Sequence, residues 1–399
     1  MNEVLTKPSF RWYWLGLFLS GLGDQFGWMG LTWFFLKQTN SPAVVGTLVS
    51  AYFLPSLVSG LFIGILLDRF DRRKLIIWDN LFRGIIVVLL VSILSFFQSP
   101  IWLIILIVGV LGMLSPLSSA GAQTLLPALI GDKEMLTNAN GLMQSQWQIV
   151  YLFGPALAGL LIGLIGEKAV LLIDALSFFV CAFCFFRLKL PASPVKQGNT
   201  KPPLAGELLT GYQFILRNPV FIWLLIITLF FNMAYGPIEV ALPFYANEQL
   251  AGEASTLGLL WASLALGALV GSGWFSVKAW RFPVGYSLSS IILLWGVTTL
   301  PLAIWPGLPV AMFSLFVAGI CFSPYNVLYV SYLQRQVPDE MLGRVITSAR
   351  TITGLGMPLG AFFSGILVHS FGVMQLLLFS ALGCILVGLA SLRPLRQLK

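Results

Sequence analysis

The chain has 399 residues, of which 58% are hydrophobic and only 10% charged, with a formal net charge of +8. Ordinary soluble domains carry about a quarter charged residues, so a soluble globular protein is excluded; at about 20 apolar residues per span, the length accommodates twelve membrane helices with short loops. The basic excess is therefore read against membrane topology before nucleic acid or acidic partners.

Apolar runs bounded by polar turns predict an all-α integral membrane protein with twelve spans. They begin near Trp12, Ala43, Leu75, Ile101, Asn138, Ala169, Val220, Ser255, Pro283, Leu308, Leu342 and Gly372. The first run is too long for a signal-peptide core and is expected to stay as a span. The longest polar interruption, from Phe185 to Arg217, contains Pro191, Pro194, Pro202 and Pro203 and reads as a linker. The expected division is a six-helix bundle over 1–188, a cytoplasmic linker over 189–217, and a second six-helix bundle over 218–399.

Orientation follows from the basic residues, which are retained on the cytoplasmic side. Placing the N-terminus inside gathers Lys7, Arg11, the run Arg69, Arg72, Arg73 and Lys74, then Lys133, the linker cations, Lys278, Arg281, Arg335, Arg344 and the C-terminal cations on that side. Lys37 and Lys168 fall outside, and Arg83 and Arg350 fall within spans. This predicts a multi-pass protein of the cytoplasmic (inner) membrane with both termini inside.

Short strings recur across the two halves. Ser115-Pro116 returns as Ser323-Pro324 at an offset of 208, Glu134-Met135-Leu136 as Glu340-Met341-Leu342 at 206, and Gly159 with Gly166 as Gly365 with Gly372 at 206. An even number of spans separates the copies, so the halves are parallel repeats about an axis along the membrane normal, and a cavity is expected between them.

The loop after the second predicted span reads Gly64-Ile-Leu-Leu-Asp68-Arg69-Phe70-Asp71-Arg72-Arg73-Lys74. It resembles motif A of the major facilitator superfamily, with Asp71 in place of the usual second glycine, as in the branch of macrolide-efflux proteins and enterobactin- or metallophore-type exporters. Gly23-Asp24, the segment from Leu126-Pro127 to Ala139-Asn140, Ile173-Asp174-Ala175 and Leu342-Gly343-Arg344-Val345 also look like that branch. The resemblance spans nearly the whole chain and implies the major facilitator fold, with two parallel six-helix repeats. Gly154-Pro155-Ala156-Leu157-Ala158-Gly159 is similar to motif C, associated in this superfamily with antiporting exporters. Independently of that, Gly154 and Gly159 permit close helix approach and Pro155 permits a bend, so the segment suits a packing hinge as well as an ordinary helix contact. Two departures stand out: the stretch from Ile101 to Pro127 lacks the arginine of motif B, and the second-half counterpart of motif A, from Gly271 to Arg281, lacks an acid.

By the same resemblance, Gly64, Asp68, Arg69, Arg72 and Arg73, with Arg344 at the start of the eleventh span, form a conformational latch; a helix N-terminus there would attract Asp68. Ionisable residues inside spans are costly unless paired or facing water, which makes them functional candidates. Asp24 falls near mid-membrane, about 18 Å up a helix from Trp12, and is the leading proton or substrate site. It could equally hydrogen-bond within its bundle. Glu239, just past a bend expected at Gly236-Pro237, is a second acidic site, and Asp174 a third. Asp79 and Arg83, four apart, read as an intrahelical pair. Arg350 either pairs with an acid on another helix or snorkels to the surface.

Gln25, Trp28, Gln144, Gln146, Trp147, Asn232, Tyr235, Asn326 and Tyr329 supply polar and aromatic lining suited to amphipathic organic substrates. The four cysteines lie in apolar runs and imply no disulfide framework, and a single histidine cannot make a multi-His metal site. No phosphate-binding Gly-x-x-x-x-Gly-Lys loop is present, nor a nucleophile and base at usable spacing, so neither an enzyme nor a cofactor is expected. The expected function is secondary-active efflux of small amphipathic molecules by alternating access, with protons as counter-ion and a monomer as working unit. The alternatives are a siderophore or metallophore exporter and a lysophospholipid-like lipid flippase.

Overall fold

The computed structural model describes residues 2–96, 100–189, 204–277 and 282–397. Among these it is helical with no strand. In a bilayer, backbone N–H and C=O groups find no water, so apolar runs of this length satisfy them internally as helices. A short helix α1 (Asn2–Thr6) precedes α2 (Pro8–Thr39), α3 (Pro42–Arg69), α4 (Arg72–Phe96), α5 (Ile101–Ile130), α6 (Lys133–Ile165) and α7 (Glu167–Arg187). After the linker come α8 (Leu204–Leu216), α9 (Pro219–Tyr235), α10 (Pro237–Phe244), α11 (Ala254–Val277), α12 (Val284–Ile304), α13 (Leu308–Phe322), α14 (Tyr325–Gln336), α15 (Asp339–Gly354), α16 (Gly356–Phe371) and α17 (Val373–Ser391). Eleven helical stretches among the described residues are long and apolar enough to cross a membrane. The remaining expected span is α2, whose 32 residues are ample in length but include Asp24 and Gln25 mid-helix.

Three expected spans are each built from two helices. Gly236-Pro237 separates α9 from α10, because Pro237 has no N–H to continue the ladder, and a π-helical turn, Tyr245–Gln249, follows α10. Ser323-Pro324 separates α13 from α14, and Leu355 separates α15 from α16. By contrast α5 runs unbroken through Pro116 and α6 through Pro155. Lys196, Lys201, Lys278 and Arg281 lie outside the described residues, while α8 forms within the stretch read as linker and packs on α15. A side chain at Gly211 of α8 would collide with the Arg344 carbonyl, so glycine is what lets these helices approach.

The chain divides into two compact units, one of Met1–Phe34 with Ala51–Thr200, the other of Phe35–Ser50 with Lys201–Lys399. In the first, α4 packs between α5 and α7. In the second, α12 packs on α13 and α17, and α9 on α16 and α17. The second unit also contains Phe35–Ser50, the end of α2 and the start of α3, where the Ser50 hydroxyl of α3 donates to the Pro358 carbonyl at 2.8 Å.

Candidate functional site

In the first unit, one face of α2 carries Gly16, Gly23, Gly27 and Gly30. Cβ atoms there would lie 2.9 Å from Cys184 Cβ, 2.6 Å from Ser177 Cβ, 2.8 Å from Asp174 Cγ and 3.3 Å from Leu171 Cγ. The absence of side chains thus brings α7 hard against α2, the close approach small residues permit within a membrane. It also wedges the buried carboxylate of Asp174 between Gly23 and Gly27, the positions flanking the turn that bears Asp24.

Asp24 pairs with Arg83 of α4: Nη2 to Oδ1 is 2.6 Å, with side chains 37% and 5% exposed respectively. The Arg83 guanidinium also lies 4.1 Å above the Phe178 ring of α7, a cation–π contact that offsets part of its burial. The expected intrahelical pair of Asp79 and Arg83 is therefore corrected. The two share a face of α4, but the long guanidinium arm reaches a carboxylate on another helix, while Asp79 accepts a hydrogen bond from the Ser118 hydroxyl of α5. Asn80 Nδ2 donates to the same hydroxyl and to the Ile76 carbonyl, each at 2.9 Å. Tyr52 of α3, bonded to Ser115, lies in the electrostatic neighbourhood of Arg83 and Asp24. Its ring packs against Trp28 with centroids 5.4 Å apart.

The other expected residues of this unit are placed around that pair. Gln25 packs on Gly154, where a Cβ would come 2.6 Å from Gln25 Cγ, which gives motif C a concrete role in admitting Gln25. Trp147 packs on Gly21 and on Tyr151, whose ring is 6.0 Å away. Gln144 is exposed, and Gln146 is the buried glutamine of that turn.

The loop resembling motif A is tied to helix ends. Arg72 donates to the Leu67 carbonyl and to the Thr124 carbonyl of α5, both at 3.1 Å. Arg73 donates to the last-turn carbonyls of α7, to Phe185 at 2.8 Å and also to Phe186. These carbonyls lie at the negative end of a helix, where a cation is favourable, and that of Phe185 also accepts from the Leu188 N–H at 3.2 Å. Asp71 caps α4 by accepting from the Lys74 N–H at 3.1 Å, which accounts for an acid where the motif has glycine. Arg69 is exposed and Gly64 has open space around it. The Asp68 side chain lies outside what the structure describes.

In the second unit, the rings of Tyr235, Phe322, Tyr325 and Tyr329 form a near-parallel stack with successive centroids 6.1, 6.1 and 6.3 Å apart. The fully buried Trp295 packs on Tyr235 and Phe322. The Thr228 hydroxyl already donates to the Leu224 carbonyl, so at 2.8 Å from Tyr325 Oη it serves as acceptor. Asn232 donates to the Thr353 carbonyl at 2.9 Å, near the break between α15 and α16. Glu239 is half-buried in the first turn of α10, one turn from Tyr235, as the expected bend implied. Asn326 and Arg350 are exposed and Arg344 is half-buried.

Sequence reasoning found Asp24 but missed its partner. Arg83 is itself ionisable within a span, about 16 Å along α4 from Arg72, and the rule that singled out Asp24 applies to it equally. Ser118 and Asn80 carried no such signal, being ordinary polar residues in apolar helices.

The major facilitator superfamily model matches residues 13–361. The chain is 24% identical to macrolide efflux protein A of Streptococcus pyogenes over 98% of its own length and 96% of that protein. It is 26% identical to the multidrug efflux pump Tap of Mycobacterium tuberculosis over 95% and 92%. Among solved structures it resembles the nucleoside transporter NupG (TM-score 0.82, 14% identity, covering 97% of this chain and 99% of that one). It also resembles a bacterial homologue of the iron transporter ferroportin in an inward-facing state (TM-score 0.69, 17% identity, covering 98% and 99%). With the helical architecture, the membrane-spanning lengths and a family match over most of the chain in agreement, this protein belongs to the major facilitator superfamily and is a multi-pass membrane transporter.

Proposed function

We propose that the protein exports small amphipathic molecules by alternating access, with protons moving inward in exchange. The observation that carries this reading is the Asp24–Arg83 pair. A carboxylate held by a buried guanidinium, yet 37% exposed, can take up a proton or a substrate ammonium and give it up again. Relatives named for macrolide and multidrug efflux, matched over more than nine-tenths of the chain, support the outward direction and an organic substrate.

In this reading Asp24 is the principal exchange site, with Asp174 and Glu239 as further acidic sites. Gln25, Trp28, Gln144, Trp147, Asn232, Tyr235, Asn326 and Tyr329 contact substrate. Gly154, Pro155 and Gly159 form the flexible seam, and Gly64, Asp68, Arg69, Arg72, Arg73, Arg344 and Arg350 hold one conformational state. The two six-helix halves joined by the 189–217 linker move as bodies, the termini are cytoplasmic, and a monomer in the cell membrane suffices.

The test uses ethidium transport into inside-out vesicles from cells expressing the wild type or Asp24→Asn. An energised proton gradient should drive wild-type uptake, and the variant or an uncoupler should abolish it. Wild-type uptake that is equal with and without the gradient would sink proton coupling.

A further inference from the structure

Three buried or half-buried carboxylates, Asp24, Asp79 and Asp174, share a single cation. Arg83 interacts electrostatically with all three, and among the described residues no other cation interacts with them. Isolated charges at membrane depth are costly, so one guanidinium sustains one ionised carboxylate and the others must hold protons. The remaining groups facing the cluster are Tyr52 of α3, Tyr151 of α6, Cys181 of α7 and the hydroxyl of Ser118 on α5.

Depth separates the carboxylates. Because Arg73 binds the last carbonyls of α7, the start of α4 and the end of α7 lie at the same membrane face. Counting from that face at about 1.5 Å per residue, Asp79 is about 10 Å in, Arg83 about 16 Å and Asp174 about 20 Å. Asp174 is pinned between Gly23 and Gly27. Neither Asp174 Oδ1 nor Asp79 Oδ1 makes a hydrogen bond, but Asp79 is not wedged in this way: it is 2% exposed and holds only the Ser118 hydroxyl, which leaves its Oδ1 free, and Arg83 Nε is likewise unpartnered. Asp79 and Arg83 are four residues apart on one face, so a change of rotamer brings the guanidinium to that free oxygen.

We propose that Asp79 is a second proton-exchanging carboxylate and that Arg83 alternates between Asp24 and Asp79. In the state described here Arg83 neutralises Asp24 and the proton resides on Asp79. When Asp24 takes a proton or a substrate cation, Arg83 turns one helical step to Asp79, which releases its proton toward the Arg72 face. The inference rests on the proton-coupled reading above and extends it by a residue outside the expected site.

Infrared spectroscopy of the purified full chain in lipid, at neutral pH and without substrate, tests it. Wild type should show a protonated-carboxyl band that Asp79→Asn removes and Asp79→Glu shifts. Asp24→Asn should lose the same band, because Arg83 then pairs with Asp79. A wild type without an Asp79-dependent band, or an Asp24→Asn protein that keeps it, would overturn the proposal. Because no transport is measured, that failure is distinguishable from a failure of proton-driven efflux, which the vesicle assay reads separately.

Discussion

Replacing Arg83 by methionine removes the guanidinium while keeping much of the side-chain volume. Arg83 is 5% exposed and holds Asp24 at 2.6 Å, and deleting one partner of a buried pair costs about 3–5 kcal/mol. Losing the Phe178 contact at 4.1 Å adds about 0.5–2 kcal/mol. Water reaching the 37% exposed Asp24 reduces the total. We expect Arg83→Met to lose about 3 kcal/mol, a fall of roughly 10 °C in Tm for a unit of this size. Cys181, Cys184 and Cys384 are buried, so a thiol-reactive dye reports unfolding in detergent. Adding Asp24→Asn should recover stability to within about 1 kcal/mol of wild type, as expected when both partners are removed. A single variant as stable as wild type, or a double variant worse than Arg83→Met, would refute the assignment of this pair.

Three further outcomes follow from packing and hydrogen bonding. Gly27→Ala sets a Cβ 2.8 Å from Asp174 Cγ and should destabilise by about 1–3 kcal/mol in the same melt, despite alanine's better helix propensity; a neutral variant would contradict the close α2–α7 contact. Tyr325→Phe removes the hydroxyl that donates to Thr228 and should cost about 1 kcal/mol while leaving the aromatic stack in place, which ring-sensitive near-ultraviolet circular dichroism can follow. Arg73→Ala removes the guanidinium from the Phe185 and Phe186 carbonyls at the end of α7 and should raise amide hydrogen exchange in its last turn, with α5 largely unaffected.

Much of the helical frame was legible from hydropathy because each span must satisfy its own backbone; Ile101 and Leu308 begin their helices where the apolar runs begin. The break at Gly236-Pro237 was legible too, since a missing N–H is a property of the residue itself. The equivalent Ser-Pro pairs show the limit of such reading: Pro116 sits inside a continuous helix and Pro324 does not, a difference set by neighbours rather than by the dipeptide. Asp24 stood out because charge at mid-membrane is rare, but its partner depends on which helices adjoin α4. Spacing along one helix pointed to Asp79 instead. The glycine face of α2 that positions Asp174 was hidden for the same reason, because a glycine's role is set by what approaches it.

Adding ethidium to purified protein in weakly buffered detergent while recording pH asks whether Asp24 exchanges a proton for substrate. Binding should release a proton from the wild type and none from Asp24→Asn. Ethidium binding to the wild type without proton release, or equal release from both proteins, would contradict that exchange.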